Sequence, residues 1–377
     1  MVFVVCSHTT LGIYFFIMNI LFITAHPFLP QMRGGMQQSI EALITSLIGQ
    51  GHRASLLCSL MPNGLIGKLG RLKIKLSKSK LAKDSQRGYA VYRSWFPWET
   101  VDAVIKRERP DVMIVSAHMP VKMALAARKT GIPVMMMLQD VEFDAHGGDF
   151  AQLGTIECAA NSAFTAGRYH DAYGVTPHVI HPLIFPEKYR TMSTRDVVTY
   201  INPNPEKGLD IALAVAKACP DIPFLFQESW PLTPKQLEEL QAMIADLPNV
   251  TLQRAVSDMR DIYNRTKILL VPSKWEEAYG RVASEVQISG IPVIASNIGG
   301  LPEAVGKGGI LLDPRGDIAP WIDAVQKMWT DDTYYQFMVT HSLDHANRPA
   351  LNIANQLATW EKILSGVVLS HKRNAPN

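Results

Sequence analysis

The sequence predicts an α/β protein made of two doubly wound domains in tandem, with ligands held in the cleft between them. Three observations carry this. The chain has 377 residues, more than a single hydrophobic core supports, which points to two domains. Apolar, β-branched runs alternate with helical patterns along nearly its whole length, as parallel strands buried on both faces require. A polar segment, "PEKYRTMSTRD" at 186–196, splits that alternation into two series.

In the first series "NILFITA" (19–25) is the expected opening strand, followed by a helical stretch over 35–50. "RASLLCS" (53–59) comes next. "DVMIVSA" (111–117) precedes a helix over 120–130, "IPVMMML" (132–138) follows it, and "HVIHPLI" (178–184) closes this half. The second series runs "VVTYIN" (197–202), "IPFLFQ" (222–227), "NVTLQR" (249–254), "KILLVPS" (267–273), "IPVIAS" (291–296) and "GILLDP" (309–314), with helices between. A last helix is expected over 350–368, ahead of a polar tail. The resulting division is an extension at 1–17, a first domain at 18–187, a second at 188–349, and a C-terminal helix and tail at 350–377 that can pack back on the first domain. The first 23 residues are apolar, yet they lack a basic leading region and a small-residue cleavage site. They read as an extension ahead of a start at Met18, not as a signal or membrane segment.

Composition narrows the class. Hydrophobic residues make up 47% and charged residues 19%, enough for a sizeable core and too apolar for disorder. The net charge of +3 is unevenly placed: residues 68–93 carry nine basic residues against Asp84, or +8, leaving −5 on the rest. Cys6, Cys58, Cys158 and Cys219 are far apart, which argues against a zinc site or a disulfide framework and fits a reducing cytosol. No nucleic-acid recognition motif accompanies the basic patch, so nucleic acid is not an expected partner.

Three constellations can carry chemistry. Gly34 and Gly35 stand between a strand and an amphipathic helix, where backbone N–H groups can approach an anion. A flexible loop explains a glycine pair equally well, and the GxGxxG fingerprint is absent. In "INPNPEKGLDIALAVAK", Asn204 can cap a helix, Pro205 fits its first position, and Lys207 falls in the first turn. A cation there opposes the helix dipole unless an anion docks beside it; a solvated surface lysine is the alternative. In "EEAYGRVASE" (276–285), Glu277 belongs to the loop after a strand and Glu285 lies a turn inside the following helix. A buried acid is costly unless hydrogen-bonded, and a vicinal diol such as a ribose satisfies one carboxylate twice. A helix-dipole acid plus a salt bridge to Arg281 accounts for either glutamate alone better than for both.

The stretch "EAYGRVASEVQISGIPVIASNIGGLPEAV" resembles the signature of retaining glycosyltransferases of the GT-B fold, family 4: two glutamates separated by seven residues, an aromatic-Gly pair, then a G-x-P-V strand. "PEKG" (205–208) is similar to that family's phosphate-binding lysine loop, and the glycines at 34–35 to its N-terminal glycine loop. The resemblance covers residues 18 to about 365. It implies two Rossmann-like domains facing across a cleft and a metal-independent hexosyl transfer with retention. It implies no cofactor beyond the donor itself, a UDP- or GDP-sugar. Residue by residue, it implies Glu285 on the ribose, Lys207 on the diphosphate and Glu277 on the transferred sugar. It further implies that Ala278, Tyr279, Gly280 and Arg281 hold the donor, and that Gly34 and Gly35 close over its phosphates.

Two positions depart from the pattern. Asn202 stands where an arginine is usual five residues before the lysine, a loss Arg281 could offset. Gln139-Asp140 stands where a histidine is usual; His118, at the end of strand 111–117, is the nearby candidate for a catalytic contact, or simply a histidine at a strand end. The expected acceptor is a saccharide or a lipid-linked or surface-polysaccharide precursor. Leu65, Leu69, Leu72 and Leu76 make a helical stripe among lysines, which fits an anionic membrane surface contacted through 65–93, a solvated charged loop, or an acidic acceptor site. The implied location is cytoplasmic, peripheral on the inner face of the plasma membrane if that surface is used. The rival functions are a nucleotide-sugar epimerase or hydrolase of the same fold, and a non-catalytic sugar-nucleotide-binding subunit.

Overall fold

A computed structural model describes residues 17–374; residues 1–16 of the expected extension lie outside the described residues. The first domain is built on β1 (Asn19–Pro27), β2 (Arg53–Ser59), β3 (Ala82–Asp84), β4 (Ala90–Ser94), β5 (Val112–Ser116), β6 (Val134–Leu138), β7 (Glu157–Ala160) and β8 (His178–Val179). They form one sheet in the order β3-β4-β2-β1-β5-β6-β7-β8, parallel except for the edge strand β3. The second sheet contains β9 (Val197–Ile201), β10 (Phe224–Gln227), β11 (Val250–Gln253), β12 (Thr266–Val271), β13 (Val293–Ser296) and β14 (Gly309–Leu312). Its order, β11-β10-β9-β12-β13-β14, is parallel throughout. Each sheet reverses its winding once, between β1 and β5 and between β9 and β12, and such reversals open a crevice at the strands' carboxyl ends.

Period-2 geometry explains why the strands read as unbroken apolar runs. Along β1, Ile20 and Phe22 enter one core while Leu21 and Ile23 enter another on the opposite face. Along β12, Ile268 and Leu270 face one layer and Leu269 the other. The strand expected at 178–184 shrinks to two residues, because Ile180 and Leu183 turn down into the core instead. The strand β4 was hidden in the sequence by Arg93. That arginine is buried, donates to the carbonyls of Phe28 (3.3 Å) and Leu29 (2.7 Å), and pairs with Asp84 at 2.8 Å. Arg93 therefore leaves the surface patch in which its charge was counted.

The C-terminal helix, Ile353–Asn374, returns to the first domain. Leu357, Trp360, Leu364 and Val368 join the core around Met18 and Ile20, and Glu361 lies 3.0 Å from His52 Nε2. The helix Gly64–Leu76 forms as the stripe predicts. Its buried positions, Gly67, Gly70 and Ile74, are on the side opposite Leu65, Leu69, Leu72 and Leu76, all four exposed. Among the described residues no helix is long and apolar enough to cross a membrane.

Candidate active site

The carboxyl ends of β1, β6 and β7 face those of β9 and β12 across a cavity of about 300 Å³. A larger cleft of about 990 Å³ adjoins it and shares Gly34, Gly35, Trp230 and Arg281 as walls.

Lys207 is placed by its local sequence. Asn204 Oδ1 accepts from the Lys207 N–H at 3.0 Å, Pro205 opens a short turn, and Gly208 ends it at φ +78°. A Cβ on Gly208 would sit 1.9 Å from the Pro272 carbonyl oxygen, so only glycine lets this turn pack on the loop after β12. That contact brings the ammonium to Glu277, with Nζ 2.6 Å from Oε1. The same ammonium lies 5.0 Å from the centre of the Trp230 ring. The Glu277 loop is backed by Gly300, whose N–H donates to the Glu277 carbonyl at 2.6 Å. Gly280, at φ +97°, turns the chain into the helix Arg281–Gln287.

Glu285 is 5% exposed. It accepts from Tyr263 Oη at 2.7 Å and from Arg281 Nε at 3.2 Å. Burial and then the Glu285 carboxylate push the Tyr263 hydroxyl well above its ordinary value. Burial alone would lower Arg281, but Glu285 and Tyr189 outweigh it and hold the guanidinium above its usual range. Arg281 also reaches across to the first domain: Nη1 donates to Ser39 Oγ at 3.1 Å and Nη2 to Tyr189 Oη at 3.2 Å. Three of its donors are thus engaged by protein groups, one on each guanidinium nitrogen.

Nine of the ten site residues expected from sequence line the cavity: Gly34, Gly35, Lys207, Glu277, Ala278, Tyr279, Gly280, Arg281 and Glu285. His118 is not among its walls. It is exposed and stands with its ring 5.2 Å from that of His26, which lines the larger cleft. Tyr279 lines the cavity with its hydroxyl turned away to Ser284 (2.8 Å) and Arg348 (3.0 Å). Among the described residues no backbone carbonyl accepts from the N–H groups of Ala278, Tyr279 or Gly280. Glu276, in contrast, forms an ion pair with Arg168 of the first domain.

Sequence reasoning missed several walls. Asp140, Glu142, Asn161, Trp230 and Tyr263 all face the cavity. Asp140 is raised to about 6 by burial and then by the neighbouring Glu142. A carboxyl displaced this far in a cleft is a functional candidate. Its signals in the sequence were its position after a buried strand and its place beside Gln139, where the resembled family usually has a histidine. Among the described residues no three His, Cys, Asp or Glu groups gather in a way that could hold a metal.

The two facing sheets define the fold class: this is a GT-B protein. Residues 201–331 match the family Glycosyl transferases group 1. A stretch of 119 residues is 36% identical to a D-inositol 3-phosphate glycosyltransferase of Corynebacterium kroppenstedtii, covering 30% of this chain and 26% of the relative. A second relative of the same description, from Corynebacterium diphtheriae, is 38% identical over 95 residues, covering 25% and 22%. The matched stretch thus spans about a quarter of the length of these relatives. Among solved structures, Anabaena Alr3699/HepE in complex with UDP and glucose superposes with a TM-score of 0.74 at 18% identity, over 93% of this chain and all of that one. A glycosyltransferase from Rickettsia africae superposes at 0.70 and 16% identity, over 93% and 99%.

Proposed function

We propose that the chain is a glycosyltransferase that moves a sugar from a nucleotide-sugar donor to a hydroxyl acceptor, with retention of configuration. The observation that carries this reading is the meeting of Lys207 and Glu277, seventy positions apart in sequence, at 2.6 Å in the wall of a cavity that also exposes Glu285. The two charges satisfy each other. A donor diphosphate takes over Lys207 and frees Glu277 to accept from a sugar hydroxyl. Glu285 then offers its carboxylate to the ribose. The unpaired N–H groups at 278–280 bind the leaving phosphate oxygens, as preorganised donors should. The acceptor oxygen bonds to C1 on the face from which the diphosphate departs. The C1–O bond to phosphate breaks, and the acceptor proton passes to that phosphate oxygen. No cofactor or metal is required in this scheme. UDP is the favoured nucleotide, because the Anabaena neighbour is seen with UDP and glucose.

The acceptor enters through the larger cleft, beside His26 and His118. A lipid-linked or surface-saccharide acceptor fits the helix Gly64–Leu76. Its exposed leucines are flanked by Lys68, Arg71, Lys73 and Lys75, also exposed. Such a face suits anionic headgroups, which supports a peripheral membrane location as part of this reading. Leu72→Asp should abolish co-sedimentation with vesicles containing anionic lipid while leaving UDP affinity unchanged.

The central test is incubation of the chain with UDP- and GDP-sugars, with and without a panel of saccharide and lipid-linked acceptors. Transfer dependent on acceptor supports the reading. Steady epimerised or hydrolysed donor without acceptor replaces it with an epimerase or hydrolase. Intact donor throughout leaves a sugar-nucleotide-binding subunit.

A further inference from the structure

We propose that Trp230, held in position by Asn202, is a donor-binding residue that presents an indole face and N–H to the diphosphate-sugar part of the donor. This rests on the glycosyltransferase reading. Asn202 follows β9 and adopts φ +61°, a left-handed conformation that asparagine tolerates better than most residues. In that pose its Oδ1 accepts from the N–H groups of Ser229 (3.2 Å) and Trp230 (2.7 Å). The side chain standing where an arginine was expected therefore acts on the loop after β10, not directly as a cation. What the loop carries is a tryptophan that remains 43% exposed.

The exposure is directional. Trp230 lines both the 300 Å³ cavity and the larger cleft, so it stands at their junction. One side of the ring meets the Lys207 ammonium at 5.0 Å. The Nε1 edge faces the glycine loop of the other domain, lying 3.9 Å from the point a Cβ on Gly34 would occupy. An indole N–H only donates, and no hydrogen bond within the described residues uses this one. A neutral donor, a cation and the backbone of Gly34 and Gly35 thus converge on one opening. That set fits a diphosphate passing between the domains, with the free ring face available to the sugar's C–H surface. It offers less positive charge than an arginine would, and it makes donor binding depend on a stacked aromatic instead.

The test is calorimetric titration of the full chain with UDP and with GDP. Trp230→Ala should raise Kd about tenfold, and Trp230→Phe about threefold, since it keeps the ring and loses the N–H. Asn202→Ala should match Trp230→Ala, because it frees the loop. The double variant should bind no more than about twofold more weakly than Trp230→Ala alone, since coupled residues are not additive. Trp230→Phe should also remove most of the nucleotide-induced change in tryptophan emission, a signal that a merely structural role would not produce. Wild-type affinity in Trp230→Ala and Asn202→Ala, alongside loss of binding in Lys207→Ala, overturns the proposal. Additive losses in the double variant overturn the role of Asn202. A wild-type chain that binds neither UDP nor GDP defeats the glycosyltransferase reading itself, and this inference falls with it.

Discussion

The two halves of the molecule present carboxylates to the same cavity in opposite ways. On the C-terminal side each acid has a cation: Glu277 has Lys207, Glu285 has Arg281, and Glu276 has Arg168 from across the interface. On the N-terminal side Asp140 and Glu142 face the cavity with no ion pair among the described residues. The first wall is charge-balanced and ready to exchange one partner for a ligand. The second carries negative charge that the fold leaves uncompensated. Asp140, His146 and His26 are displaced mainly by burial, whereas at Arg281 and Glu303 partners win against burial. Donor chemistry suits the balanced wall, since a diphosphate replaces one anion by another. Sugar and acceptor hydroxyls suit the unbalanced wall, since a carboxylate relieves its burial by accepting from them.

The largest effect should come from breaking the balanced wall at its exchangeable pair. Glu277→Ala should lower sugar transfer by about 10³-fold while changing nucleotide affinity by less than about threefold, because the role proposed for Glu277 is a contact to the sugar at the reacting centre. Initial rates and titrations on the same preparation separate the two. Equal losses in both would move Glu277 from the sugar to the nucleotide. The next effect is on stability. Glu285→Ala removes one member of a buried ion pair and should cost about 3 kcal/mol as well as weakening UDP binding. Denaturant unfolding reads the first and calorimetry the second. A variant as stable as wild type would show that Arg281 is sustained by Ser39 and Tyr189 alone.

The balanced wall was the legible one. Lys207, Gly280 and Glu285 each sit within a few residues of the turn that positions them, so one strand-loop-helix segment encodes both the residue and its placement. Gly208 shows how far local encoding reaches: its φ and its contact with Pro272 are why "PEKG" reads as a motif. The N-terminal wall is assembled from single residues after separate strands, Asp140 after β6 and Asn161 after β7, and no spacing links them. Trp230 was invisible for the same reason, since the hydrogen bonds from its loop to Asn202 span twenty-seven and twenty-eight positions. Arg281 was legible as a site residue but not as a bridge, because its partners Ser39 and Tyr189 lie in other elements. The basic run misled at Arg93, where a cation is buried by long-range pairing that composition does not reveal.

A buried histidine in the N-terminal half should leave a pH signature in stability. His146 is 1% exposed, bonds to Tyr169 Oη through Nε2 at 2.9 Å, and is lowered by burial to about 4 from 6.5. Its folded pKa lies below its unfolded one, so the unfolded chain binds the extra proton first. Stability from this group is complete above 6.5 and is lost as pH falls toward 4, by up to about 3 kcal/mol. Unfolding free energies measured at pH 7.5, 6 and 5 should fall more steeply for wild type than for His146→Gln. Parallel slopes would mean that the histidine protonates without disturbing the fold.

Asp140 should work in the opposite direction, with a smaller effect. Its pKa is raised from 3.8 to about 6, so the folded state disfavours the charged form. The stability tied to this group is present below 3.8 and lost as pH rises through about 6. Asp140→Asn keeps an oxygen for the Glu142 N–H and removes the charge. It should therefore raise stability by about 2 kcal/mol at pH 8 and leave it unchanged at pH 4. If the uncompensated carboxylate is held there for sugar or acceptor hydroxyls, the same variant should lose transfer rate while gaining stability, the exchange typical of groups kept for function. A variant that is more stable at pH 8 and equally active would leave Asp140 as a burial accident, and the contrast between the two walls would then be electrostatic without being functional. A variant no more stable at pH 8 would mean that Asp140 already has a compensating partner, and the N-terminal wall would be as balanced as the one it faces.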